Sequence, residues 1–373
     1  MFIKQLNLLQ FKNYSEATLE LIDGINCFVG HNGAGKTNIL DAVYYSSMCR
    51  SYLNPIDSQN IAFEDNFFII QAQWSKADQE AEIYCGVKRG QKKVFKKNKV
   101  DYDKLADHIG QFPTVMVSPY DTDLISEGSE VRRKWMDGII SQYDRVYLDA
   151  LMRYNAILEQ RNAQLKNAAK SGLFDPESLD VWDEQLVDMA MIIHQKRNSF
   201  IHKFTPLLQR YFSEIARSDE RIGFVYKSQL EDTDFSILLQ LARDKDRVLG
   251  YTTVGIHKDD LIFELHGHPI KKVGSQGQQK SFLIALKMAQ FDELTLTLGV
   301  KPVLLLDDVF DKLDNERVTQ LMKLVSEHKF GQVLVTDTDE ERVRAIFAKI
   351  DVPMRLFHVE SGKVVCHEQE TAH

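Results

Sequence analysis

A glycine-rich stretch carries the strongest chemical signal in this sequence. Its eight residues match the phosphate-loop pattern G-x-x-x-x-G-K-[ST], after a short apolar run and before an expected helix. Glycines let backbone N–H groups approach phosphate oxygens, and the helix N-terminus adds a positive dipole. The stretch consists of Gly30, His31, Asn32, Gly33, Ala34, Gly35, Lys36 and Thr37. It predicts an ATP site with Lys36 on the β- and γ-phosphates and Thr37 on Mg²⁺. The alternative is an ordinary glycine-rich turn.

An apolar run that ends in two carboxylates is the second signal. Val303-Leu-Leu-Leu precedes Asp307 and Asp308, and α/β sheets bind ligands at the carboxyl ends of their strands. We expect Asp307 to hold Mg²⁺, and Asp308 to orient or deprotonate the attacking water. Alone, such a run is typical of a core strand before a turn. Together with the glycine-rich stretch it indicates nucleotide hydrolysis.

A third element opens an expected helix shortly before that apolar run. It comprises Ser275, Gln276, Gly277 and Gln278. The order resembles the signature of ABC ATPases, in which a Ser-x-Gly-Gln core faces the γ-phosphate bound to the other subunit. The alternative is a serine N-cap with a glycine in the first turn.

Two shorter elements extend the resemblance to ABC ATPases. Asp311 and Asp314 follow the acidic pair and resemble the D-loop that crosses the ABC dimer interface. Asp337 ends the next expected strand, where ABC proteins carry a switch histidine, so we expect slow hydrolysis. Three glutamines remain candidates for the Q-loop: Gln59, Gln71 and Gln73.

Strand-like and helix-like stretches alternate near both ends of the chain, which predicts one parallel-type sheet built from both ends. From Val131 to Leu158 apolar residues recur every three or four positions, as in one long amphipathic helix. A second helical stretch starts near Ser178. We therefore expect an α/β, SMC-head-like ATPase lobe in two parts, 1–119 and 246–373, with a mainly helical lobe inserted at 120–245.

Composition limits the class of protein. The chain has 373 residues, 44 % of them hydrophobic, and a net charge of −8, which argues against coating nucleic acid by general electrostatics. The four cysteines are far apart, so a disulfide framework or zinc site is not expected. With no secretory signal and no apolar run long enough to cross a bilayer, we expect a cytoplasmic protein without a membrane partner.

A basic run between residues 88 and 99 is the candidate contact with nucleic acid. Gly90 separates two strand-like stretches, so the run is expected to form a hairpin. The candidate DNA-binding residues are Lys92, Lys93, Lys96 and Lys97. The alternative is a solvated sheet edge whose charges prevent aggregation.

For the other charged residues we prefer a structural role to DNA or metal binding. Arg132 and Arg133 are expected on a helix face or partner contact. His257, followed by Lys-Asp-Asp, is more consistent with a structural role than with a metal site.

Several segments go beyond general ABC features. Together they resemble, in order and over nearly the whole chain, the RecF family of ABC/SMC-type ATPases. They are LQFKNY at 9–14, SPYDTDLI at 118–125, RRKWMD at 132–137, GIHKDD at 255–260 and SQGQQ at 275–279. The sequence departs from the family pattern at Ile256, where proline is usual, and at Lys258, where arginine is usual.

The resemblance implies a function that spacing alone does not. Members of this family bind gapped DNA or duplex junctions, act with RecO and RecR, and help to load RecA. They form homodimers with ATP and hydrolyse it slowly, with stimulation by DNA. Similarity to SMC heads further implies nucleotide contacts from Lys12 and Asn13.

Two other classes remain as alternatives. The first is an ATPase of the same superfamily that regulates a nuclease or other effector, which would need a further acidic cluster. The second is a transporter subunit, in which the signature would lie much closer to the glycine-rich stretch.

Overall fold

Two six-stranded sheets and one three-stranded sheet organise the described part of the chain. The structure is a computed structural model and describes residues 1–77, 79–171, 177–310, 315–326, 330–348 and 352–370. The strands are β1 Phe2–Phe11, β2 Tyr14–Glu20, β3 Ile25–Val29, β4 Phe67–Lys76, β5 Gln79–Lys88, β6 Val94–Lys97, β7 Val100–Asp101, β8 Thr114–Val117, β9 Ile222–Lys227, β10 Asp260–Leu265, β11 His268–Pro269, β12 Val303–Asp307, β13 Val333–Asp337, β14 Met354–Glu360 and β15 Lys363–Glu370. The α-helices are α1 Lys36–Met48, α2 Asp123–Ser126, α3 Ser129–Tyr143, α4 Arg145–Ser171, α5 Glu177–Ala216, α6 Phe235–Leu249, α7 Ile270–Val273, α8 Gln276–Leu298, α9 Asn315–Ser326 and α10 Glu340–Phe347.

The first sheet has the order β15-β14-β3-β13-β12-β8. All neighbouring strands are parallel except β14 and β15. Every residue of β3, β12 and β13 is buried, as a parallel sheet covered on both faces requires. Strand β3 comes from the N-terminal part, and both of its neighbours come from the C-terminal part. The predicted parallel sheet built from both ends is confirmed.

The second sheet is antiparallel and has the order β2-β1-β4-β5-β6-β7. Its side chains alternate, so that Phe68 and Trp74 of β4 lie in the core while their neighbours along the strand are partly exposed. Ile39 of α1 belongs to the same core, together with Phe28 of β3 and Leu305 of β12. This shared core fixes α1, and the loop before it, against both sheets.

The chain divides into two compact units. The first contains Met1–Asp121, Glu214–Arg217 and Lys280–His373, and the second contains Thr122–Ser213 and Ser218–Gln279. The second unit therefore reaches Gln279, whereas the sequence reading returned to the ATPase lobe at 246. The reason is that β10 pairs antiparallel with β9. The sequence patterns assign β10 to the ATPase lobe and predict no strand at β9 within the helical lobe.

The predicted single helix from Val131 to Leu158 is wrong, because the structure has two helices. Asp144 adopts an extended backbone conformation between α3 and α4, and its side chain accepts the N–H of Tyr147 at 2.9 Å, a cap for the new helix. Helix α5 contains Pro206 and continues to Ala216. The side chains of Phe204 and Leu208 are fully buried on either side, and this packing offsets the hydrogen bond that proline removes. No described helix is long and apolar enough to cross a membrane.

Candidate phosphate-binding site

The loop between β3 and α1 needs glycine at its last position. Gly35 has φ 116°, which L side chains rarely adopt. A Cβ atom there would lie 2.4 Å from Asn13 Nδ2 and 2.9 Å from the Tyr14 hydroxyl. The backbone therefore turns directly into α1, whose first N–H groups have no partner inside the helix. Such a helix start attracts an anion.

Two residues where β2 begins hold this loop in place. Asn13 Nδ2 donates to Ala34 O at 2.9 Å, and the Tyr14 hydroxyl donates to Gly35 O at 3.0 Å. Lys12 instead forms an ion pair with the buried carboxylate of Asp41 in α1, at 2.6 Å. Nucleotide contacts from Lys12 and Asn13 stay a prediction, and the structure gives both residues a supporting role around α1.

Lys36 is the first residue of α1 and is nearly buried. Its Nζ atom donates to the carbonyl oxygens of Gly30 at 2.7 Å and His31 at 2.9 Å. Burial lowers the pKa of Lys36, and the charge of Asp308 is the largest of the opposing effects. The ammonium group thus lies over the loop, where the phosphate chain of a nucleotide would pass.

The acidic pair at the end of β12 meets the loop through hydroxyl groups. Thr37 Oγ1 and Thr336 Oγ1 each donate to Asp307 Oδ1 at 2.8 Å. Thr336 Oγ1 also accepts the backbone N–H of Asp308 at 2.9 Å. Strands β12 and β13 are in register with Asp307 opposite Thr336, which explains the contact. The two residues expected to hold Mg²⁺, Thr37 and Asp307, are thus hydrogen-bonded to each other, and their metal-binding role stays a prediction.

Asp307 is buried, and burial raises the pKa of its carboxyl group, while the hydrogen bonds from Thr37 and Thr336 oppose the shift. Asp308 follows with φ 49°, a left-handed conformation that aspartate tolerates better than most residues. A cleft of about 200 Å³ opens here, bounded by loop residues, Thr37, Asp308 and Thr336. Its size suits a phosphate group, and six of its eight lining residues were predicted for phosphate chemistry.

The oxygens of Thr37 and Asp307 fit a hard divalent cation. No group of three or more His, Cys, Asp or Glu residues that could hold a metal occurs in the described residues. A cation bound here would therefore take its remaining ligands from water and phosphate, the arrangement that Mg²⁺ favours.

Asp337, at the position of the ABC switch residue, is fully buried at the end of β13. Its carboxylate pairs with Arg342 of α10 at 2.5 Å and accepts the N–H of Asp339 at 2.8 Å. Its backbone carbonyl accepts the N–H of Gly30 at 3.3 Å. The switch position is therefore tied to the phosphate loop and carries an ion pair where ABC proteins have an imidazole.

The signature segment begins α8. Ser275 Oγ accepts the N–H of Gln278 at 3.2 Å, and Gln278 Oε1 accepts the N–H of Ser275 at 2.8 Å. This reciprocal pair is a capping box, so the N-cap reading of Ser275 is confirmed. Ser275 and Gln276 are exposed, and Gly277 is partly exposed in the first turn. The predicted D-loop residues Asp311 and Asp314 lie outside the described residues.

The four lysines predicted to bind DNA do not share one surface. Lys93 turns inward, where its Nζ lies 2.9 Å from Asp57 Oδ2 and donates to Cys49 O at 2.6 Å. Lys97 also turns inward and donates to Gln111 Oε1 at 2.6 Å. Lys93 and Lys97 are thus engaged by acceptors of the protein itself, and DNA contacts from the four lysines stay a prediction.

Strand alternation explains this division. Lys92 and Lys96 lie on the outer face of the antiparallel sheet, and Lys88 and Lys99, at the two ends of the basic run, line the same groove. In β6 successive side chains point to opposite faces, so Lys96 and Lys97 cannot face the same way. Applying the two-residue repeat of a β-strand to this segment would have placed Lys96 and Lys97 on opposite faces from the sequence alone.

The other charged candidates have structural partners in the second unit. Both oxygens of the Asp260 carboxylate accept hydrogen bonds from Arg132, at 2.9 and 3.1 Å. Arg133 donates to Asp259 O at 2.5 Å. His257 lies 2.8 Å from the Tyr154 hydroxyl, and burial lowers its pKa to about 4. The structural readings are confirmed.

Sequence reasoning missed Thr336, the residue that links the two carboxylates. The only signal was its place at the end of a strand adjacent to β12. It also missed Tyr14, whose hydroxyl supports the loop from β2.

The parallel sheet, phosphate loop, paired carboxylates and capped signature helix define an ABC-type ATPase head. A solved SMC head bound to the C-winged helix domain of ScpA has the same fold, with TM-score 0.56 and 15 % identity over 99 % of this chain and 98 % of that one. A family model described as AAA ATPase domain matches residues 1–113.

More specific likeness covers nearly the whole chain. The DNA replication and repair protein RecF of Phocaeicola vulgatus is 49 % identical over 98 % of both chains. That of Flavobacterium johnsoniae is 48 % identical over 96 % of this chain and 100 % of its own. A solved structure of the recombination mediator protein RecF with ATP, in the RecFOR pathway, matches with TM-score 0.89 and 28 % identity over 98 % of each chain. The chain belongs to the RecF family.

Proposed function

We propose that this protein is an ATP-dependent DNA-binding repair factor that dimerises when ATP is bound. The observation that carries the proposal is the position of Asp307, whose carboxylate accepts hydrogen bonds from Thr37 beside the phosphate loop and from Thr336. A buried carboxylate joined to the loop hydroxyl is what a nucleotide-hydrolysing P-loop site needs.

The residues divide the chemistry among them. Backbone N–H groups of the loop and Lys36 bind the phosphates, and Thr37 and Asp307 hold Mg²⁺. When bound, Mg²⁺ neutralises charge that develops on the phosphate oxygens. Asp308 orients the attacking water and accepts its proton. With the Asp337–Arg342 pair at the switch position, we expect turnover to be slow.

Dimerisation follows from the signature. Ser275, Gly277 and the N-terminus of α8 offer a hydroxyl, an unobstructed backbone N–H and a positive dipole on an exposed surface. We propose that this surface contacts the γ-phosphate held by a second copy of the chain. Asp311 and Asp314 would lie at the same interface. ATP then joins two subunits, and hydrolysis releases them.

The nucleic-acid and protein partners are proposed from the family. Its members are described as DNA replication and repair proteins, and one as a recombination mediator in the RecFOR pathway. We propose that this protein binds gapped or junction DNA, with ATPase activity stimulated by DNA. RecO and RecR are its proposed partners, and RecA loading is the outcome.

A direct test combines sedimentation with DNA binding. The full chain is mixed with ATP and Mg²⁺, with ADP and Mg²⁺, or with no nucleotide, and its mass is measured. Binding to gapped, duplex and single-stranded DNA is measured under the same conditions. We expect a dimer and the tightest DNA binding with ATP only. Equal mass and equal DNA affinity in all three conditions would overturn the proposal.

A further inference from the structure

The outer face of the antiparallel sheet carries a groove of about 650 Å³, a volume within the usual range of ligand-binding sites. Strands β4, β5 and β6 form its floor, and lysines line it. We call this surface the sheet groove. Its lysines are Lys88, Lys92, Lys96 and Lys99, and its floor includes Phe67, Ile69, Tyr84, Gly86 and Val94. The proposed ATP chemistry makes no use of this surface.

Strand register arranges the groove residues in rows. Tyr84 lies opposite Lys96, and Phe67 lies opposite Lys88. Between these rows, Gly86 pairs with Val94 on one side and Ile69 on the other. The middle of the floor is thus apolar. At each end of it, one aromatic residue lies opposite one lysine.

The ring of Tyr84 lies over Gly86. A Cβ atom at Gly86 would be 3.0 Å from the Tyr84 hydroxyl and 3.2 Å from Cε1. The missing side chain therefore leaves room for the Tyr84 ring beside Gly86. Tyr84 is partly exposed and lines the groove, so its ring is accessible to a ligand. A flat, supported aromatic ring is the kind of platform on which nucleobases stack.

The lysines favour an anionic polymer. Lys88, Lys92 and Lys99 are exposed, and no described carboxylate lies within ion-pair distance of them. Lys96 pairs with Asp101 at 3.2 Å in an exposed contact of the kind that contributes little. Four lysines and a single glutamate, Glu82, line the groove of a chain whose net charge is −8. The positive charge is therefore local.

We propose that the sheet groove binds a single-stranded DNA segment. Its bases stack on Tyr84 and Phe67, and its phosphates lie beside the lysines. Four residues along β5 separate the rows of Tyr84 and Phe67, about 13 Å at ~3.3 Å per residue, so the two rings serve different bases. A duplex does not fit, because its bases are stacked inside the helix. The inference rests on the proposed DNA-binding function and assigns it a single-strand site.

The test uses the full chain with ATP and Mg²⁺, a fluorescent oligo-dT strand and a duplex of equal length. Tyr84→Leu keeps apolar bulk and removes the aromatic face, and Tyr84→Phe is its matched control. Loss of one stacking contact should weaken single-strand binding about tenfold in Tyr84→Leu. Tyr84→Phe should bind like the wild type, and duplex affinity should be unchanged in both variants.

Lysine variants test the same site without touching the core. Replacing Lys88, Lys92 and Lys99 with Gln should lower the log–log salt slope for the single strand by about 0.7 for each phosphate contact. The control replaces three exposed lysines of the second unit, Lys203, Lys227 and Lys245, and removes the same charge. We expect the control to leave the slope unchanged.

The outcomes separate the two proposals. If the wild type binds neither DNA with ATP, the proposed function fails. If it binds the single strand, and Tyr84→Leu and the groove lysine variant bind equally well, only the groove assignment fails. An acidic peptide whose binding is lost in Tyr84→Leu, and which does not displace the strand from the wild type, would identify the groove as a protein-docking site and overturn the assignment.

Discussion

Thr336 Oγ1 donates to the Asp307 carboxylate at 2.8 Å and accepts the backbone N–H of Asp308 at 2.9 Å. One hydroxyl thus orients both acidic residues proposed for phosphate chemistry. The contact exists because β12 and β13 are parallel neighbours with Asp307 opposite Thr336. The geometry of the acidic pair therefore depends on a strand that follows it in sequence.

Thr336→Val should disturb this arrangement while keeping the side-chain shape. The buried Asp307 carboxylate loses a donor, so we expect weaker Mg²⁺ binding and a stability loss of about 1.5–3 kcal/mol. The control is Thr114→Val in β8, where the buried hydroxyl donates to the neutral Ser47 hydroxyl at 3.1 Å. Phosphate release measured against Mg²⁺ concentration should shift to higher Mg²⁺ in Thr336→Val alone. An identical Mg²⁺ dependence in both variants would contradict the role given to Thr336.

Asp308→Asn should separate ATP binding from turnover. Asparagine tolerates the left-handed conformation at this position, so the backbone is preserved. ATP affinity should stay near the wild-type value, because Lys36, Thr37 and Asp307 remain, and phosphate release should fall at least a hundredfold. Lys36→Ala is the complementary variant and should lose most ATP affinity. Normal turnover in Asp308→Asn would refute the assignment of Asp308.

Ser275→Arg tests the signature across subunits. The Ser275→Ala variant is its control, because both lose the capping hydroxyl, at a cost of about 1 kcal/mol, but only arginine fills the space meant for the partner's γ-phosphate. ATP binding to the monomer should be intact in both variants. Sedimentation with ATP should show dimers for Ser275→Ala and monomers for Ser275→Arg.

Mixing Ser275→Arg with Lys36→Ala extends this test. A mixed dimer pairs the intact phosphate loop of one subunit with the intact signature of the other. At most one working site per dimer should then recover. Full dimerisation and turnover by Ser275→Arg alone would show that the signature does not act in trans.

His108 should make stability depend on pH. It is fully buried, lies 2.9 Å from the Tyr102 hydroxyl and 2.7 Å from Ser46 O, and burial lowers its pKa from 6.5 to about 4. The folded-state pKa is below the unfolded value, so the unfolded chain takes up the proton first as pH falls. The contribution of His108 to stability is complete above pH 6.5 and is lost between pH 6.5 and 4.

Urea unfolding at several pH values measures this effect. One proton gives a slope of at most about 1.4 kcal/mol per pH unit in that window. His108→Gln should be less stable at neutral pH and have a flatter profile below pH 6.5. A wild-type profile no steeper than that of His108→Gln would exclude a buried neutral imidazole as a source of acid sensitivity.

Local patterns determined much of this protein. The phosphate loop follows from glycine spacing between a strand and a helix, because such a backbone path admits few other residues. The strand before Asp307 follows from a continuous apolar run, since a strand buried on both faces has no polar side. The structure has the expected strand before residues 30–37, the expected helix from Lys36 and the expected strand before Asp308. Family membership could be recognised from short ordered motifs.

Tertiary structure decided what depends on pairing between distant segments. Strand β10 pairs with β9 and not with a strand of the ATPase sheet. Its alternation of buried and exposed side chains is compatible with either partner, so the sequence could not decide between them. Likewise, nothing in the local sequence shows which of the two pairs, Lys93 and Lys97 or Lys92 and Lys96, turns inward. The two pairs point in opposite directions because one side of this segment packs against α1 and the core. Sequence specifies each strand's two faces, and only the fold determines which face meets the core and which meets solvent.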